Sequence, residues 1–177
     1  MRQLLVLRHA KSRWDQPSVE DHDRGLSPRG EAAARKMGAL IVEEDWLPDR
    51  ILCSTAVRAR ETLALARESW PATPEIPTSD LATLYLAAPS RILEAVRRQP
   101  DDCRRLMIVG HNPGLQSFVA RLAGHGDKAQ RRAIETKFPT AALALVAVDV
   151  AAWGEVGWTI GQLVDYRVPR RTDAAPD

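Results

Sequence analysis

Short apolar runs alternate with longer stretches of mixed polarity along the chain. Residues 4–7 (LLVL), 51–53 (ILC) and 106–109 (LMIV) are uninterrupted and end in charged or polar residues. Such runs predict strands covered on both faces, where no polar alternation is needed. Segments 141–148 and 158–164 read as later strands, and Pro74 and Pro77 leave room for at most a short edge strand near 75–78. Helical patterns lie between. Ser27-Pro28 opens one through RGEAAARKMGALIVEE, with Ala33, Met37, Leu40 and Ile41 on one face. Ser54 or Thr55 caps a second, AVRARETLALARESW, which Pro71 ends. Pro89-Ser90 opens a third, reaching about Arg98, and a fourth, LQSFVARLAG, follows the turn from Gly110 to Gly114. Residues 15–26, polar and holding Pro17 and Gly25, form a loop.

This alternation predicts an α/β domain: a single three-layer unit over 1–169 with a mostly parallel central sheet flanked by helices. Residues 170–177 form a polar C-terminal tail. No repeat or low-complexity block interrupts the pattern.

Composition narrows the function classes. The 177 residues carry a net charge of +2, which gives no electrostatic case for nucleic acid or an acidic membrane. Arg131-Arg132 and Arg170-Arg171 read as solvated surface. Two cysteines, Cys53 and Cys103, make no disulfide framework and no zinc spacing, and both are expected to stay reduced. No window approaches a membrane span, and the apolar run after Met1-Arg2-Gln3 is too short for a secretory leader. A cytoplasmic location is expected. Of the 25 basic residues only four are lysine, so most can grip phosphate through two parallel hydrogen bonds.

The candidate chemistry sits after three of the strands. The first hands over to Arg8 and His9, the second to Ser54 and then Arg58, the third to Gly110 and His111. If those strands are parallel, all these groups meet at the carboxyl edge of the sheet, where ligands bind in open α/β folds. Two guanidiniums can hold the oxygens of a phosphoryl group. A neutral imidazole, with a pKa near ~6.5, can attack phosphorus and carry it as phosphohistidine. A second imidazole, if protonated, stabilises charge on the equatorial oxygens. Each residue alone has a plain structural reading as turn, packing or surface; their common placement after three buried strands does not. Other chemistries fit less well. No glycine-rich fingerprint follows the first strand, no Gly-x-Ser-x-Gly elbow is present, and the arginines beside the histidines oppose a metal ion.

The segments LRHAKS (7–12), STAVRARET (54–62) and VGHNPGL (109–115) resemble the histidine phosphatase superfamily, with its phosphoglycerate mutase-like fold. RHAKSRW, DHDRGLSPRGEAAA and KFPTAALALV resemble its small branch of SixA-type phosphohistidine phosphatases. The resemblance implies His9 as the phosphorylated nucleophile, Arg8 and Arg58 as phosphate ligands, and His111 completing the pocket. It implies that Arg24 reaches the phosphate, with Lys11, Ser12 and Asn112 lining the same loops and Asp23 orienting Arg24 or capping the loop. Many members carry an acidic general acid after the third strand. Here that region reads TSDLATLYLAAP, Thr83 stands where Glu is common, and Asp80 is the nearest carboxylate and the candidate general acid.

A weak acid suits a phosphoramidate bond, which breaks more readily than a phosphoester. The short stretch between the second and third helices leaves no large cap insert over the site. Both features suit phosphohistidine displayed on another protein, such as a histidine phosphotransfer domain, with inorganic phosphate as product and no cofactor. A broad-specificity phosphomonoesterase for small phosphorylated molecules and a non-catalytic phosphate- or phosphoprotein-binding module stay open as alternatives.

Overall fold

In the computed structural model, which describes residues 1–15 and 17–169, the chain begins with strand β1 (Arg2–Arg8) and helix α1 (Pro28–Glu43). There follow β2 (Arg50–Ser54), α2 (Val57–Arg67), β3 (Thr78–Leu81) and α3 (Pro89–Arg97). The chain continues with β4 (Arg105–Gly110), α4 (Gly114–Leu122), β5 (His125–Gly126), α5 (Lys128–Thr136), β6 (Leu143–Val148) and β7 (Gln162–Arg167). The polar tail expected at 170–177 lies outside the described residues.

The strands form one sheet in the order β3-β2-β4-β1-β6-β7-β5. β1, β2, β3 and β4 pair in parallel, β6 runs against both its neighbours, and β5 pairs in parallel with β7. The mostly parallel α/β architecture is therefore as the alternation predicts. β1, β4 and β2 are neighbours, so their carboxyl ends share one edge.

The uninterrupted apolar runs have the expected cause. Leu4 and Val6 of β1 face one core, with Leu52, Leu106, Ile108 and the α3 and α4 side chains Ile92, Val96, Phe118 and Leu122. Leu5 and Leu7 face the other, with Ile51, Met107, Val109 and the α1 and α2 side chains Met37, Ile41 and Leu63. Every position of these three runs is buried because both faces of the sheet are covered there. Each core aliphatic removed from water contributes about 1.5–3 kcal/mol.

Local details depart from the sequence reading in instructive ways. Ser27 caps α1 as expected, accepting from the Gly30 N–H at 3.2 Å. The buried face of α1 is Gly30, Ala34, Met37, Gly38 and Ile41, with Ala33 and Leu40 on its margin. Two glycines belong to it because α1 lies against backbone: a Cβ on Gly38 would stand 2.0 Å from the Ala66 carbonyl oxygen. The edge strand begins at Thr78 rather than 75; Pro77 has no N–H to give, and enters the ladder only through its carbonyl, which accepts from Ile51 N at 2.9 Å. Helix α5 and strand β5 have no counterpart in the sequence reading. Among the described residues no helix is long and apolar enough to cross a membrane.

Candidate active site

The β1 ladder carries the chain one residue beyond the strand, since His9 N–H donates to Gly110 O at 3.0 Å. This sets His9 beside the turn that bears His111. The rings stand with centroids 5.0 Å apart, tilted by 47°. His9 retains 7% exposure and His111 2%.

His9 is oriented through its own backbone. Its Nδ1 lies 2.8 Å from the Ala10 carbonyl oxygen, which can only accept, so Nδ1 holds the proton and Nε2 keeps its lone pair. The Ala10 N–H is tied to Thr62 Oγ1 at 2.9 Å, and that hydroxyl donates to Arg58 O at 2.6 Å. Thr62 thereby joins the histidine loop to α2, one turn from Arg58. Burial pushes the His9 pKa down to about 4, with the Arg58 and Arg8 guanidiniums acting in the same direction. His9 is thus neutral near pH 7, the state a nucleophile needs.

Burial, the neighbouring His9 and Arg58 push His111 down to about 3. The protonated second imidazole of the sequence reading is therefore replaced by a neutral one. Its Nε2 meets Ser54 Oγ at 2.8 Å, and the same oxygen accepts from Ala56 N–H at 3.3 Å. A hydroxyl that accepts from Ala56 has its proton to give to Nε2, leaving Nδ1–H as the free donor of His111. Ser54 is accordingly a tether for His111. The N-cap of α2 is Ala56, without a side-chain cap.

Arg58, buried on the first turn of α2, is gripped by a residue that the sequence reading missed. Its Nη2 lies 3.0 Å from Asp21 Oδ2, and its Nη1 donates to the Asp21 carbonyl. Tyr85 Oη donates to the same carboxylate oxygen at 2.6 Å. The Tyr85 ring stands edge-on to His111 at 5.4 Å and to His22 at 5.0 Å. The hydrogen bond from Tyr85, aided by Arg58 and Arg24, holds the Asp21 carboxyl below its ordinary pKa. In DHDR the sequence reading names Asp23, and nothing local marks Asp21 as the acid that reaches Arg58. Asp23 instead meets His22 Nδ1 at 2.9 Å.

The remaining candidates are placed as follows. Arg8 Nη1 donates to Phe138 O at 2.8 Å, and so does Asn112 Nδ2, so the loop before β6 backs the site. Arg24 stacks on Trp14, its guanidinium carbon 4.5 Å from the ring. Ser12 is buried and bridges to Leu26, while the Lys11 side chain is exposed. Asp80 is not brought to the histidines: its carboxylate pairs with Arg60 at 3.0 Å, and the carboxylate whose charge reaches both His9 and His111 is Asp21. The edge strand turns Asp80 toward α2, which supplies Arg60.

Among the described residues, four buried side-chain polar atoms have no hydrogen-bond partner: Arg8 Nε, Arg24 Nε, His111 Nδ1 and Asn112 Oδ1. Buried polar groups are satisfied almost everywhere in proteins, so unsatisfied ones call for an explanation. All four belong to residues that the sequence motifs single out, and three are nitrogen donors suited to an anion. No group of three or more His, Cys, Asp and Glu side chains fit to hold a metal occurs among the described residues.

Comparison with known proteins follows the same lines. Residues 4–84 match the model of the histidine phosphatase superfamily (branch 1). An uncharacterized protein of Mycobacterium tuberculosis is 36% identical over 166 residues, covering 93% of this chain and all of the relative. The crystal structure of a putative phosphohistidine phosphatase SixA from Agrobacterium tumefaciens is 28% identical. It superposes with a TM-score of 0.76 over 95% of this chain and 99% of the other. A putative phosphohistidine phosphatase SixA from Nakamurella multipartitia is 25% identical, with a TM-score of 0.80 over 95% and 96%.

Proposed function

This chain belongs to the histidine phosphatase superfamily, in its SixA-type branch, and from that membership we propose that it removes the phosphoryl group from phosphohistidine on a protein by way of phosphorylated His9. The observation that carries the reading is the pairing of a neutral His9, its Nε2 lone pair free, with unsatisfied buried donors on Arg8, Arg24 and His111.

In the first step His9 Nε2 bonds to phosphorus while the P–N bond of the substrate breaks and its imidazole leaves with a proton from solvent. In the second step water attacks phosphorus, releasing inorganic phosphate and restoring His9. The guanidiniums of Arg8 and Arg58 and the Nδ1–H of His111 bind the equatorial oxygens as charge gathers on them. An imidazole leaves phosphorus more readily than an alkoxide, so the reaction proceeds without a dedicated carboxylic acid. The arginines supply the positive charge, and the enzyme works without a metal. Two buried free thiols fit a cytoplasmic setting.

The substrate class is tested by comparing a phosphorylated histidine phosphotransfer domain with small phosphoesters under identical conditions. The reading expects kcat/KM to favour the phosphohistidine protein. A clear preference for the esters would overturn it in favour of a small-molecule phosphomonoesterase.

A further inference from the structure

A groove of about 680 Å³ opens beside the site, with Lys11, Arg13, Trp14 and Asp15 on one wall and Ser27 and Arg29 on the other. It begins two residues beyond His9. Its walls are fixed to each other, because Ser27 N–H and Ser27 Oγ both donate to Lys11 O, at 2.9 and 3.2 Å. Trp14 is 66% exposed and stacks on Arg24, whose Nε is one of the unsatisfied buried donors of the site.

Its charge is one-sided. Among the described residues, no carboxylate lies within ion-pair distance of Lys11, Arg13, Arg24 or Arg29, and Asp15 is the groove's lone acid. Elsewhere on the surface Arg35, Arg60, Arg91, Arg98 and Arg167 each hold a carboxylate. Lys11, Arg13 and Arg29 against Asp15 leave the groove's lining with a net positive charge, in a chain whose net charge is only +2.

We propose that this groove docks an acidic segment of the phosphorylated protein, so that carboxylates flanking the phosphohistidine meet Arg13 and Arg29 while an apolar side chain covers Trp14. The proposal rests on the phosphohistidine reading above and adds a sequence preference to it. Charge complementarity of this kind raises the encounter rate and selects among partners.

The test uses peptides carrying one N-phosphorylated histidine with Asp/Glu, Ser/Gly or Lys/Arg flanks, and phosphoramidate as a substrate too small to reach the groove. The wild-type enzyme is expected to favour acidic over neutral flanks by about tenfold in kcat/KM, an advantage that shrinks as salt rises. Arg29→Glu and Arg13→Gln are expected to reduce that advantage to about twofold or less while phosphoramidate turnover stays unchanged. Equal turnover of the three peptides by the wild type, or a preference that survives Arg29→Glu, would overturn the docking proposal and leave the substrate reading standing. Turnover of phosphoramidate with no turnover of any phosphohistidine peptide would overturn both.

Discussion

Asp21 holds Arg58 by two contacts, its carboxylate 3.0 Å from Nη2 and its main-chain carbonyl on Nη1, and thereby fixes the orientation of its buried guanidinium. Under the proposed function, fixing it sets the geometry in which Arg58 would bind the phosphoryl group, and small displacements at such a site are expensive. Asp21→Ala is expected to lower kcat/KM by about tenfold, with Asp21→Asn recovering part of the loss by restoring a hydrogen-bond acceptor. Affinity for tungstate, measured alongside, separates lost anion binding from lost folding. Wild-type kinetics in Asp21→Ala would remove Asp21 from the account.

Ser54 is expected to act through His111. Its hydroxyl meets Nε2 at 2.8 Å and decides which ring nitrogen carries the proton. Ser54→Ala is expected to lower kcat by about tenfold or more, with thermal stability changed far less. Nitrogen chemical shifts of His111 would report the change of tautomer. An unaltered tautomer in an inactive variant would contradict the assignment.

The pH dependence follows from burial. Folded, His9 and His111 are pushed down to about 4 and about 3. Unfolded, both titrate near ~6.5. Between those values the unfolded chain binds more protons than the folded one, so stability is greatest above pH ~6.5 and falls as pH drops toward 4. The melting temperature is expected to decline through that window. The acid limb of kcat/KM is expected near pH 4, where His9 takes up a proton and loses its nucleophilic lone pair. An acid limb near pH 6.5 would show that the folded site does not depress His9.

Gly38 offers a test of packing. A methyl group there would stand 2.0 Å from Ala66 O, and the Gly38 carbonyl accepts the Trp70 indole N–H at 3.1 Å. Gly38→Ala is expected to cost about 1–3 kcal/mol in denaturant unfolding, because α1 must move away from α2. A neutral or stabilising effect, as at an open helix position, would contradict the close approach.

Much of this was legible in the chain. Runs such as LLVL and LMIV, apolar at every position, announce strands covered on both faces, and the polar residues that follow them meet at one edge of the sheet. His9, Arg8, Arg58 and His111 are found on the elements their motifs imply. Helix α5 escaped because its sequence, KAQRRAIET, buries only Ile134, too little to stand out as a stripe. Asp21 escaped because its partner Arg58 lies far along the chain and nothing local distinguishes it from the other acids of the loop. Asp80 misled for the converse reason: proximity in sequence to the usual position of an acid says nothing about Arg60, which claims it. The protonation state of His111 needs the depth of burial and the distance to Arg58, neither of which a motif carries.

The proposed mechanism places the phosphoryl group on His9. Rapid quenching with phosphoramidate or a phosphohistidine protein, followed by mass spectrometry of the enzyme, tests it most directly. An acid-labile phosphoryl adduct is expected on His9, formed equally well in EDTA and lost in His9→Ala together with turnover. Full turnover by His9→Ala, or an adduct on another residue, would contradict it.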